Sequence, residues 1–184
     1  MMGTMHIGAT DPLLDDFTRV LLELRWGDMD AYGHVNNVTQ LRLLEEARVR
    51  ALGSPTHSSD APASPDLPGV NSPVSGIVIP EVFAHASATT ELLVASHAIE
   101  YRQPIRYRPG PIAIDLVISE VKAASVTVGY VIAEPDGSGA YTLAETVIAF
   151  VDIESSRARR LSSEETNAME SVLRPAVPMR GRRR

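Results

Sequence analysis

The chain contains no cysteine. That absence removes disulfide frameworks, thiolate metal sites and cysteine nucleophiles together, and it fits a reducing compartment. No apolar run approaches the ~20 residues that a membrane-spanning helix needs. The first residues do not pair a basic start with an apolar stretch, so no signal peptide is expected and the protein is read as cytoplasmic. A basic excess is lacking too: the formal net charge is -6, which argues against a nucleic-acid partner. Arg180, Arg182, Arg183 and Arg184 run against that trend, and a terminal run of this kind is read as a solvated end.

What is present is the composition of one globular domain. The 184 residues are 44% apolar and 22% charged, enough for a single core and too few for two comfortable ones. Residues 1–17 show no clear period and read as an N-terminal extension. Residues 18–161 carry the periodic segments, and 162–184 read as a short helix and a basic tail. Val20, Leu22, Leu24 and Trp26 alternate with Glu23 and Arg25, as a half-buried strand requires. Turn formers from Gly27 to Gly33 end it. Asn36 and Asn37 are both suited to capping a helix. Behind them Val38, Leu41, Leu44, Ala47, Ala51 and Leu52 recur at spacings of three and four, which predicts one apolar helical face. Glu46 with Arg50 and Glu45 with Arg48 stand at pairing distance on the other face. Gly53 and Pro55 end the helix.

Residues 54–75 are rich in proline and serine and predict a loop or lid. Residues 77–84 could form a short strand, which Pro80 would confine to an edge. The second half reads as a run of strands. Leu93, Ala95, His97, Ile99 and Tyr101 alternate, then Ile112 to Ile118, then Val126 to Ile132. A turn at 134–139 leads to a last strand marked by Tyr141, Leu143, Val147, Val151 and Ile153. Several strands are apolar on both faces, so one face is expected under the helix and the other against a partner. Ser162 to Glu165 resembles a cap before a helix reaching about Arg174. The order, strand, long helix, loop and antiparallel meander, is α+β.

Common catalytic signatures are missing. There is no Gly-x-Ser-x-Gly elbow, Walker loop, His-Glu-x-x-His run or EF-hand loop, and Gly137-Ser138-Gly139 lacks the rest of a dinucleotide fingerprint. The histidines at 6, 34, 57, 85 and 97 have no metal-ligand spacing, so neither metal nor bound cofactor is expected. There remains the segment from Arg25 to Val38, where Asp28, Asp30 and His34 precede a helix N-terminus. Unsatisfied N–H groups and the positive end of the helix dipole gather there. Such a terminus can hold the oxyanion formed when an acyl carbon is attacked. A carboxylate just upstream can attack that carbon or activate a water that does. The same pattern also describes an ordinary turn before a capped helix.

Residues 25–48, from Arg-Trp-Gly-Asp-Met-Asp-Ala-Tyr-Gly-His-Val-Asn-Asn-Val through Leu-Glu-Glu-Ala-Arg, resemble the signature of the hotdog-fold thioesterases of the 4-hydroxybenzoyl-CoA thioesterase type. Ile99 to Ile105 resembles the family's second strand, which ends in an aromatic residue and a nearby proline. The resemblance implies an antiparallel sheet wrapped around one long central helix, and hydrolysis of acyl-CoA, with acyl-carrier protein as an alternative carrier. It implies Asp30 as nucleophile or general base, the backbone N–H of Asn37 as the group that polarises the thioester carbonyl, and His34 beside them. It places Gly33 and Tyr32 in the loop that approaches substrate, and Glu46 where some relatives carry a helix carboxylate. Tyr32 and Gln40 depart from the residues relatives use, asparagine and tyrosine. It implies a homodimer as the least unit, or a homotetramer.

Each role has a plainer counterpart. Asp28 reads as holding the turn, Glu46 as a surface partner of Arg50, and His97 as a core histidine. Arg102, Arg106 and Arg108, or Arg157, Arg159 and Arg160, could meet the phosphates of coenzyme A or be solvated. The alternative function is a non-catalytic acyl-CoA-binding hotdog protein; a hotdog hydratase or dehydratase would need an Asp/His or His/Glu arrangement that has no place here.

Overall fold

The computed structural model describes residues 16–52, 74–76 and 89–180. Residues 1–15 of the expected N-terminal extension, most of the proline-rich loop, the possible strand at 77–84 and the end of the basic tail lie outside the described residues, while Phe17, counted in that extension, is buried. Those that are described form β1 (Thr18–Glu23), α1 (Asn37–Leu52), β2 (Val74–Gly76), β3 (Thr90–Tyr101), β4 (Pro111–Lys122), β5 (Ser125–Ala133), β6 (Ala140–Asp152), β7 (Arg157–Ala158) and α2 (Ser163–Glu170). The strands make one sheet in the order β2-β1-β4-β5-β6-β3, with β7 on β6, and each pairing is antiparallel. With α1 against one face, this is the α+β hotdog arrangement.

The centre of the sheet follows the sequence pattern closely. Ile112, Ile114, Leu116 and Ile118 of β4, and Val126, Val128, Tyr130 and Ile132 of β5, all point to the helix side and are buried, together with Val20, Leu22, Leu44 and Phe150. Alternation inward at period two is what a strand covered by a helix requires.

Several expectations are corrected. The first strand ends at Glu23, and Trp26 leaves the sheet in a 3₁₀ turn, Trp26–Asp28. The cause is local: the Arg25 N–H donates to Asp28 Oδ2 at 2.6 Å and the Asp28 N–H to the Arg25 carbonyl at 3.0 Å, which curls the chain. In β3, a bulge between Val94 and Ser96 changes the phase, so Leu92 and Val94 face the same way as His97, Ile99 and Tyr101, opposite Phe150, Ile148, Thr146, Ala144 and Thr142. An extra residue at a bulge shifts every later side chain by one position.

In β6 the inner face is therefore Thr142, Ala144, Thr146, Ile148 and Phe150, not the set that includes Tyr141 and Val147. The two threonines can lie inside because their hydroxyls have partners: Thr142 donates to Gln40 Oε1 at 2.6 Å and Thr146 Oγ1 meets His97 Nδ1 at 2.9 Å. The helix, for its part, buries Gln40, Leu44, Ala47 and Leu52, while Val38 is 68% exposed. Its expected ion pairs form, Arg50 to Glu46 at 2.6 Å and Arg48 to Glu45 at 3.5 Å.

The outer face, expected to lie against a partner, is covered in part by the chain's own C-terminal segment. Phe17, Val117, Val131, Ala133 and Leu143 form a second apolar cluster that Val177 and Met179 join. After α2 the chain runs back along β4, with the Arg174 N–H on the Ile118 carbonyl at 2.9 Å, and Val177 lands over Gly129. The missing side chain at Gly129 is required there, since a Cβ would meet Val177 Cγ2 at 2.6 Å. The last helix starts as expected, with Ser162 and Glu165 in a reciprocal capping box, and stops at Glu170, short of Arg174.

Candidate active site

The loop between β1 and α1 closes on itself. The Asp30 N–H donates to the His34 carbonyl at 2.7 Å and the Gly33 N–H to the Asp30 carbonyl at 3.1 Å. Gly33 takes a left-handed φ of 73° there, a conformation glycine adopts without strain. The loop is then pinned to the segment after β3: the Val35 N–H donates to the Ile105 carbonyl at 2.8 Å, and His34 bridges Arg106. Ile105 is fully buried, so this anchor is rigid.

Asp30 sits half-buried at the centre of this loop. Its Oδ1 accepts the N–H groups of Tyr32 at 2.8 Å and His34 at 3.1 Å, an Asx-type turn. Its Oδ2 has no partner among the described residues. The carboxylate is thus oriented by one oxygen and open at the other. Asp28 holds the preceding turn through Arg25, and its carbonyl accepts the Asn36 N–H at 2.8 Å.

Asn36 is the helix cap: its Oδ1 accepts the Val38 N–H at 2.8 Å and its carbonyl the Gln40 N–H at 3.0 Å. Asn37 is the first helical residue. Among the described residues its N–H has no acceptor, which leaves a donor at the positive end of a sixteen-residue helix. The loop's return is held from inside by Gln40, whose Nε2 donates to the Val35 carbonyl at 3.3 Å. On the far side, the Tyr101 hydroxyl donates to the Asn37 carbonyl at 3.3 Å. Burial pushes the Tyr101 phenol above its ordinary value, so it stays a neutral donor.

Asp30, Gly33, His34, Asn37 and Arg106 therefore lie around one helix N-terminus. The His34 imidazole makes no hydrogen bond among the described residues, and Tyr32 is 85% exposed. Four candidates are engaged elsewhere. Glu46 lies more than two turns along α1 and accepts from Arg50 Nε at 2.7 Å. Arg102 is turned to Glu100 at 3.2 Å and to the Pro178 carbonyl at 3.0 Å. Arg108 is paired with Glu134 at 2.6 Å and Arg159 with Glu165 at 2.7 Å. Arg106 is exposed, with no ion pair among the described residues. Tyr101 and Gln40 are the site residues that pattern alone missed. The resemblance marked one as the aromatic end of a strand and the other as a departure from tyrosine, without giving either this role.

Among the described residues no group of three His, Asp or Glu could hold a metal ion, and no helix is long and apolar enough to cross a membrane.

A sequence profile of the thioesterase-like superfamily matches residues 24–177. No curated protein sequence matches the chain. Among solved structures, a probable thioesterase from Escherichia coli is similar with a TM-score of 0.62 at 19% identity, over 85% of this chain and 99% of that one. A 1,4-dihydroxy-2-naphthoyl-CoA thioesterase from Synechocystis gives 0.58 at 16% identity, over 83% and 95%. A thioesterase from Thermus thermophilus, complexed with coenzyme A and Zn, gives 0.57 at 17% identity, over 84% and 92%. At these identities the likeness is one of fold.

Proposed function

The chain belongs to the thioesterase-like superfamily, and from that premise we propose that this thioester hydrolase cleaves acyl-CoA to a carboxylic acid and coenzyme A at the loop that opens α1. The observation that carries the proposal is the pairing of an unaccepted Asn37 N–H with the open Oδ2 of Asp30 on one pinned loop. In the reaction, the thioester carbonyl oxygen accepts from the Asn37 N–H, and negative charge builds on it as the carbon is attacked. Attack comes either from Asp30 Oδ2, giving an anhydride that water opens, or from a water whose proton Asp30 takes. In both routes the C–S bond breaks, the thiolate leaves and is protonated, and the acid is released. His34 and Gly33 border the same space, and Tyr32 lies at its rim. Tyr101 fixes the helix start that the carbonyl must meet. Arg106, exposed and without an ion pair among the described residues, can meet phosphate; Glu46 and Arg102 would have to leave their present partners to touch substrate.

The site is read as one half of a dimer. β3 is a twelve-residue edge strand with Leu93 47% and Val94 43% exposed, and a long apolar edge is a template for pairing with another chain. A homodimer through β3, or a tetramer of such dimers, would cover it. The cysteine-free composition supports a cytoplasmic location.

The alternative, a protein that binds acyl-CoA without cleaving it, is favoured by one feature: Oδ1 of Asp30 already serves the turn. Free-thiol release from short, medium, long and aromatic acyl-CoAs separates the two. Turnover on part of the panel supports hydrolysis. Tight binding with no thiol released across the panel transfers the site to the binding reading.

A further inference from the structure

The chain's single tryptophan is on the surface. Trp26 is 76% exposed and Tyr107 39% exposed, and their rings meet edge to face, with centroids 5.9 Å apart and planes at 80°. The capping of Asp28 onto Arg25 puts Trp26 outside the sheet, and the Val35–Ile105 hydrogen bond brings Tyr107 up beside it. An edge-to-face pair leaves ring faces open, and exposed Trp and Tyr next to an arginine are the residues that carry recognition energy most often.

The arginine is Arg106, one residue from Tyr107. It bridges His34 through its backbone, while its guanidinium has no partner among the described residues. Its neighbours differ: Arg102 and Arg108 are both neutralised by glutamates. In a chain of net charge -6, this is an exposed cation with no ion pair among the described residues, next in sequence to Tyr107 and bridged through its backbone to the loop of Asp30. The chemistry that fits is a planar heteroaromatic ring carrying phosphates: the ring stacks on an open aromatic face, and phosphate oxygens accept from the guanidinium.

We propose that Trp26, Tyr107 and Arg106 form a platform for the phosphorylated adenosine end of coenzyme A. The protein then acts on free CoA esters in preference to acyl groups on a carrier protein, which present the pantetheine arm without a nucleotide. The inference rests on the reading of the substrate as a thioester bound at Asp30, with the pantetheine arm joining the two sites.

The test has two arms. In the first, adenosine 3′,5′-bisphosphate is titrated against the full chain and the fluorescence of Trp26 followed. Saturable quenching is expected, and Tyr107→Ala and Arg106→Ala should each weaken the affinity about tenfold, as loss of a stacking or charged contact does. In the second, one acyl group is presented on coenzyme A and on pantetheine. Trp26→Ala should lower kcat/KM for the CoA ester about tenfold more than for the pantetheine ester. No quenching, quenching that both variants leave unaltered, or an equal loss on the two esters overturns the platform. Faster cleavage of an acylated carrier protein than of the CoA ester also overturns it. Nucleotide binding lost in the variants, with no thiol released from any ester, would uphold the platform and sink the hydrolase reading instead.

Discussion

The bond between Gln40 and Thr142 ties α1 to β6. Gln40 is 3% and Thr142 0% exposed, so neither group can turn to water when the other is removed. Thr142→Val keeps the shape of the side chain and deletes the donor to Gln40 Oε1. An acceptor left buried and unpaired costs about 1–3 kcal/mol. Gln40→Leu strands the Thr142 hydroxyl and the Val35 carbonyl, and should cost a similar ~1–3 kcal/mol. Replacing both removes the unpaired acceptor and the unpaired hydroxyl together, leaving only the Val35 carbonyl exposed to the change. The double variant should therefore be more stable than the sum of the singles by about 1 kcal/mol or more. Urea unfolding at one fixed protein concentration reads the cycle directly, since self-association would make stability depend on concentration. In a chain of this size each kcal/mol moves Tm by about 2–4 °C. Costs that add to within about 0.5 kcal/mol would show that the two side chains do not interact and refute the reasoning.

Three further outcomes are expected. Asp115 is buried with a two-pronged contact to Arg19, at 2.6 and 2.8 Å; Asp115→Ala should destabilise by about 3 kcal/mol, while an effect under ~1 kcal/mol in denaturant would show the pair to be dispensable. Gly129→Ala should destabilise by driving Cβ into Val177, and adding Val177→Ala should recover part of the loss; no recovery in thermal unfolding would mean that the C-terminal segment does not pack there in solution. Glu165 is held below its ordinary value of 4.5 chiefly by its hydrogen bond from Arg159. Because the folded value is the depressed one, this pair's stabilisation is present above pH 4.5 and lost as pH falls through the folded value. Glu165→Gln should remove that part of the acid dependence of unfolding, and an unaltered pH profile would deny the linkage.

The sequence carried the fold where one rule acted alone. The inward Ile and Val residues of β4 and β5 needed only period two, and the ion pairs of α1 only helical spacing. It misled where a second effect intervened. The bulge in β3 is invisible to alternation, because the strand around it offers apolar or small residues in either phase. The burial of Thr142, Thr146 and Gln40 could not be read from apolar periodicity, since it depends on partners 49 and 102 positions away. The covering of the outer face by Val177 was hidden in a proline-containing tail without periodicity. At the site, the loop of Asp30, Gly33 and Asn36 was legible because capping and turn chemistry are local. That Arg102, Arg108 and Arg159 are paired while Arg106 is not was hidden, since they are distinguished from Arg106 only by what the fold sets opposite them.

Asp30→Asn separates an Asp30 that does chemistry from one that only holds the turn. An asparagine Oδ1 can accept the same two N–H groups from Tyr32 and His34, so the loop should stay closed while the open oxygen becomes an amide that neither attacks nor takes a proton. Thiol release should fall by ~10²–10⁴-fold, with acyl-CoA binding and thermal stability close to those of the unaltered chain. Turnover retained within a few-fold in this variant, alongside loss of both fold and activity in Asp30→Ala, would contradict the account and return Asp30 to the turn.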